Sequence, residues 1–233
     1  MTNFRKIGRE RLKAMAVAGD WVLESMRVLG RTGDSVVGEM LKSRPEFNVW
    51  DHYPENDVID PNTHGQFYYH AHPKAQRAGE HGHFHLFIRQ EGIPKAIRPA
   101  RIGFPNGLSK FDNPMCHLVA ISMNANSMPI GLFTTNRWVT EDPWYLAADT
   151  IALLDRFNMD TAYPSWPVNR WMTAMAVLFR PQIEALLTRR DEKIDRWRKQ
   201  NPTKNPFTAE SLEIISALKI SLKDQIAAIQ RAL

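Results

Sequence analysis

Five of the chain's eight histidines fall between positions 70 and 85, in the strings Gln66-Phe-Tyr-Tyr-His-Ala-His-Pro and Glu80-His-Gly-His-Phe-His-Leu-Phe. Their every-second-residue spacing matches a β-strand, in which alternate side chains share a face. In the first string Gln66, Tyr68, His70 and His72 would point one way, and Phe67, Tyr69 and Ala71 the other. In the second, His81, His83, His85 and Phe87 would share a face opposite Phe84, Leu86 and Ile88. Residues 73–80 contain Pro73 and Gly79 and suit the connection of an antiparallel hairpin. Folded back, that hairpin gathers up to five imidazoles with Glu80 at its mouth.

A lone histidine on such a face is usually a core or surface residue with ordinary partners. A cluster is different, because burying several imidazoles side by side costs desolvation and any that protonate repel one another. A metal ion removes both costs. His83, His85, His70, His72 and Glu80 are therefore the candidate ligands. Tyr68 and Gln66, on the same face, are candidates for the outer hydrogen-bonding groups that imidazole ligands need and for contact with substrate.

The rest of the composition narrows the setting. With 233 residues, 43% of them hydrophobic, the chain can bury a sizeable core. One cysteine, Cys116, allows neither an internal disulfide nor a thiolate cluster. Next to His117 it is a poor nucleophile–base dyad, since strand neighbours face opposite ways. No signal-peptide core or membrane-length apolar run is visible, so the expected location is the cytoplasm. The net charge of +5 is mild. The basic residues of 189–204, Arg190 among them, are mixed with Asp191, Glu192 and Asp195, as on a solvated helix face, and no one-signed patch with stacking aromatics favours nucleic acid.

The expected architecture is a single α+β domain over residues 1–233. An antiparallel sheet carries the histidine hairpin, and helices from both ends of the chain pack on it. Leu12, Met15, Val22, Met26 and Leu29 mark a first helical stripe ending near Gly30, and residues 36–41 form a second helix within a helical segment, 1–45. Residues 51–63 read as a polar loop. Within the β core, 64–140, strands are expected at 66–72, 83–89, 117–123 and 130–139. The third places His117 with Val119, Ile121 and Met123 on an apolar face. The 94–114 connection would wrap an edge or cover the site. Residues 143–233 read as helical: 144–157, a helix opened by Pro167 and interrupted at Pro181, a linker at 201–206, and a last helix capped by Thr208. Its stripe of Ile215, Leu218, Leu222, Ile226, Ile229 and Leu233 also suits a homodimer contact.

Neutral imidazole suits zinc, iron, copper and nickel, and a carboxylate shifts preference toward iron or manganese. A closed structural zinc site would more often use cysteines. The site therefore favours a catalytic non-haem metal, with iron first and zinc or manganese as alternatives, acting on a small-molecule substrate. The order Gly65, His70, His72, Glu80 resembles the metal motif of cupins, with Pro105-Asn-Gly107 and His117 hinting at a second motif. Glu80 lies too far along for the usual spacing, and the helical content is high for a small cupin. A His-Glu-x-x-His protease helix is absent.

A broader resemblance runs through His52-Tyr-Pro, the two histidine strings, Thr135-Asn-Arg-Trp-Val-Thr and Pro164-Ser-Trp-Pro-Val-Asn-Arg-Trp. Together these resemble a bacterial family long of unknown function that includes a haem-free, iron-dependent hydroxylamine oxidase of heterotrophic nitrifiers. The resemblance implies an iron site at His83 and His85, with His70, His72 and Glu80 as further candidates, and an electron acceptor it does not specify. The competing reading is a non-catalytic metal-binding or sensing protein, in which histidines fill the coordination sphere.

Overall fold

The computed structural model describes residues 3–73, 77–102 and 114–233. Its frame is one six-stranded antiparallel sheet in the order of the chain, with helices from both ends packed against it. A long helix, α1 (Arg9–Gly30), and a short one, α2 (Val36–Leu41), precede the sheet. The strands β1 (Tyr53–Ile59), β2 (Gly65–His70), β3 (Gly82–Arg89), β4 (Met115–Met123) and β5 (Pro129–Thr135) follow as a meander. Then come α3 (Arg137–Thr140), α4 (Ala147–Leu153), α5 (Trp166–Leu178) and α6 (Arg180–Gln200). The chain returns to the sheet as β6 (Ile214–Lys219), and closes with α7 (Leu222–Gln230). Among the described residues the strands form this one open meander and not the paired sheets of a cupin jelly roll. No helix among the described residues is long and apolar enough to cross a membrane.

The sheet's two faces have different chemistry. Phe67, Tyr69, Phe84, Leu86, Ile88, Val119 and Ile121 form one face and pack against the helices, where Met15, Val22, Trp171, Met172 and Met175 are buried. Trp171 meets Phe84 with ring centroids 5.9 Å apart. The other face carries the histidines. The hairpin register pairs Tyr68 with His85, His70 with His83 and Phe67 with Leu86, so the alternation read along each string is the alternation across the ladder. Gly82 starts β3 against this register, where an added Cβ would lie 2.5 Å from the His70 carbonyl oxygen. Glycine is what lets the two strands close there.

Four expectations are corrected. Residues 51–63 are not simply a loop, because β1 occupies Tyr53–Ile59. Asn56 and Asp57 adopt positive φ (69° and 59°), and the resulting bulge lets Tyr53 face Tyr69 and Val58 face Phe67 on the core side. The bulge destroys the period-two pattern that would have announced a strand.

The last helix is shorter than expected. Thr208 ends a 3-10 turn, Ile214–Lys219 pairs with β5, and α7 begins only after Ser221, whose hydroxyl accepts from the Asp224 amide. Ile215 and Leu218 are three apart, one face on a helix but opposite faces on a strand. Accordingly Leu218 packs on the main core, and Ile215 joins a second cluster with Ile102, Trp144, Ile194, Phe207 and Leu212.

Strand β5 stops at Thr135, and Asn136 caps α3 by accepting from the Arg137 amide, so the expected strand to residue 139 is too long. In α6, Arg190 is buried, not solvated; it donates to the Tyr145 carbonyl at 2.6 Å and to Asp191 at 2.9 Å, and lies over Trp144. Pro181 falls in the first turn of α6, where its missing N–H costs nothing, so the break expected there is a new helix start. Of the 94–114 connection, residues 103–113 lie outside the described residues, as does Pro105-Asn-Gly107.

Candidate metal centre

The hairpin assembles four imidazoles on the face turned away from the helical core. Ligating nitrogens of His70, His72 and His83 all lie within 4.8 Å of one another. His70 Nε2 and His83 Nε2 are 2.8 Å apart. His85 adds a fourth ring, its centroid 4.7 Å from that of His83 and 5.2 Å from that of His70. Two nitrogens bound to one ion at about 2.1 Å stand roughly 3.0–3.4 Å from each other, so the His70–His83 pair is already close to a shared coordination edge.

The Nδ1 atoms of His83 and His85 are engaged, which leaves the Nε2 atoms for other partners. His83 Nδ1 lies 2.7 Å from Glu80 Oε1, and His85 Nδ1 lies 3.0 Å from His117 Nε2. A carboxylate or imidazole behind each ligand sets its tautomer and raises its basicity. His85 Nε2 is buried and has no hydrogen-bond partner. An orphaned imidazole nitrogen at 0% exposure is costly unless something electrophilic meets it. The donor set and this orphaned atom fit a transition metal.

Electrostatics keep the rings in the form a metal needs. Burial, reinforced by neighbouring histidines, lowers His70 to about 2. Burial and then Arg77 hold His83 well below its ordinary value; burial and His83 do the same for His85. Burial and Arg190 lower His117 to about 3. Because the unfolded chain takes up protons near pH 6.5 and the folded rings do not, the metal-free protein is fully stable above that pH and loses stability as pH falls below it. Thermal melts of the apo-protein should therefore show a steep fall in Tm between pH 7 and pH 5. A flat profile would mean that these rings protonate freely in the folded state.

Of the residues expected at the site, His70, His72, His83 and His85 are brought together. Glu80 stands behind His83 and is itself paired with Arg77 at 3.3 Å. Tyr68 is buried between the His52 ring, stacked at 3.6 Å, and His85 at 5.2 Å. Burial raises its phenol, which stays protonated. Gln66 shares the face but is tied elsewhere, donating to Asp57 at 2.7 Å and accepting from Arg89 at 2.8 Å.

His81 leaves the group, correcting the five-ring expectation. It precedes β3, stacks near Phe47 and lies 2.6 Å from the Tyr69 hydroxyl through Nδ1. His117 takes the opposite correction. A bulge in β4 pairs Leu86 with Val119 but Phe87 with His117, which flips His117 from the apolar face onto the histidine face. No local signal in the sequence marks that bulge. Cys116 points into the helical core, with burial raising its thiol to about 12, so it forms no dyad with His117.

The two Asn-Arg-Trp strings build the frame. Asn169 donates to the carbonyls of Thr161 and Tyr163, both at 2.8 Å, and Trp138 donates to Ala209. Beside the cluster an open groove of about 770 Å³ runs over the sheet, bounded by Arg77, Glu80, Ser122, Gly131, Phe133 and Ala217.

Residues 16–220 match the family model described as a domain of unknown function, DUF6969. The chain belongs to that family. No curated protein and no solved structure matches it. The DUF6969 match spans the sheet, both histidine strings and His117, so the whole candidate centre lies inside the family's domain.

Proposed function

We propose that this DUF6969 protein is an oxidoreductase holding one non-haem iron at His70, His72, His83 and His85, with hydroxylamine, or a similarly small nitrogen compound, as substrate. The observation that carries the metal part is the group of His70, His72 and His83, whose ligating nitrogens lie within 4.8 Å of one another, with the buried, unpartnered Nε2 of the adjacent His85 ring. The substrate part rests on the sequence resemblance described above. When bound, iron would supply one-electron redox chemistry at the site.

The chain's own groups have separable tasks. Glu80 and His117 orient His83 and His85 through their Nδ1 atoms. Tyr68, Phe87 and Phe133 wall the cluster and limit water, with Phe133 edge-on to His83 at 5.0 Å. Arg77, over the Phe133 ring at 4.8 Å and paired with Glu80 and Glu213, stands between the groove and His83. The groove would bring substrate as far as Arg77 and Glu80, which separate it from the histidines.

The ligating nitrogens of His70, His72 and His83 already lie within 4.8 Å of one another, and a fourth donor from His85 would close a tetrahedral set, which favours a non-catalytic metal-binding protein as the second reading. Loading the apo-protein separately with iron and zinc, and following hydroxylamine loss with an artificial electron acceptor, separates the two. Zinc has no redox chemistry to offer. Turnover is expected with iron and none with zinc. Equal rates with zinc, or no turnover with iron, would remove the redox reading and leave the binding protein.

A further inference from the structure

Behind the metal-facing histidines, on the side away from the groove, lies a second small cavity of about 20 Å³. His117, Thr135 and Asp142 border it, together with Arg137 and Arg190. One water molecule needs roughly 10–15 Å³ of such space and two or more polar partners. The partners are there. Asp142 is 5% exposed; its Oδ1 accepts from the Met115 amide at 3.3 Å, while its Oδ2 is buried with no hydrogen-bond partner.

We propose that a single water in this cavity links the Asp142 carboxylate to His117 and Thr135, making Asp142 a remote positioning residue for the metal ligand His85. The inference rests on the metal-site reading. If His85 Nε2 presents its lone pair to a metal, its proton sits on Nδ1, which donates to His117 Nε2 at 3.0 Å. His117 must then carry its own proton on Nδ1, 3.4 Å from Thr135 Oγ1 and beside the cavity. Each link fixes the direction of the next, and the Asp142 carboxyl at the far end, which burial raises to about 7, rewards that direction as an acceptor once ionised. Arg190 does not compete for this role, since it is already matched by Asp191 and the Tyr145 carbonyl. Sequence gives no hint of the link, because Asp142 is 57 positions from His85 and joins it only through the β4 bulge.

Cobalt(II) serves as the probe, since its d–d absorption reports the ligand field and its titration gives affinity. Wild-type protein, Asp142→Asn, Thr135→Val, His117→Phe, His85→Ala and the double variant His85→Ala/Asp142→Asn are compared, with circular dichroism confirming folding. Loss of an outer-shell partner typically costs about 10–100-fold in metal affinity. His117→Phe is expected to fall in that range. Asp142→Asn should weaken binding by a smaller factor, about threefold, and move the d–d band. In the His85→Ala background the Asp142 change should have no further effect, which a merely structural role would not produce. If Asp142→Asn misfolds, Thr135→Val breaks the same chain without touching the carboxylate and should give the same band shift. Wild-type affinity and spectrum in the folded Asp142→Asn or Thr135→Val protein would overturn the inference while leaving the metal site standing. Failure of the wild-type protein to bind cobalt would instead overturn the metal-site reading, and this inference with it.

Discussion

His83→Ala protein, purified without a histidine tag, is expected to lose nearly all of its metal while keeping its fold. His83 is 1% exposed, with Nε2 2.8 Å from that of His70 and Nδ1 held by Glu80. Its removal takes away a donor and the element that faces His70 across the hairpin. Since losing an outer-shell partner alone costs about 10–100-fold, losing the ligand should exceed about 100-fold. His85→Ala should behave alike, because its Nε2 is the buried atom with nothing else to meet. The fold should survive, since the core that holds the sheet lies on the opposite face.

His81→Ala provides the contrast. His81 sits in the same sequence string, yet it partners Tyr69 outside the cluster and its removal should leave metal content unchanged. Elemental analysis and competitive chelation check all three. Full metal occupancy in both the His83 and His85 variants would rule out this site.

Trp171→Ala should produce the largest loss of stability among single core changes. Trp171 is 0% exposed and joins α5 to the sheet through Phe84. Truncating a buried tryptophan costs about 3–5 kcal/mol through lost burial and the cavity left behind. For a chain of this length that corresponds to roughly 6–20 °C in Tm. Its indole Nε1 is buried without a partner, so Trp171→Phe gives up little hydrogen bonding and should recover most of the loss. Metal stoichiometry at low temperature should be retained in both. A Trp171→Ala variant within about 1 kcal/mol of wild type by denaturant unfolding would show that the helices are not anchored to the sheet as described.

The histidine hairpin was legible because strand geometry is local. Alternation along 66–70 and 83–89 encodes which side chains share a face, and the observed register pairs Tyr68 with His85 and His70 with His83, although β2 stops at His70, two residues short of the expected end. Helix α1 and the start of α5 were equally open to reading, from a 3.6-residue stripe and from Pro167 in the first turn. In each case the information is contained within a few neighbouring residues.

Where two distant parts of the chain had to negotiate, sequence was silent or misleading. The three–four rhythm of Ile215, Leu218 and Leu222 suited a helix. The free edge of β5 instead captured Ile214–Lys219 as a strand, and Ile215 and Leu218 were divided between two cores. The bulge at Asn56 and Asp57 hid β1. The bulge in β4 turned His117 toward His85, and the chain's course before Gly82 left His81 outside. A single extra residue in a ladder inverts the facing of everything beyond it, at a position set by long-range pairing. The sequence by itself thus determined the imidazole side chains and the strand faces that present His70, His83 and His85, with His72 just beyond the end of β2. Only the tertiary structure decided which further groups stand behind them, because that depends on register between strands rather than on alternation within one.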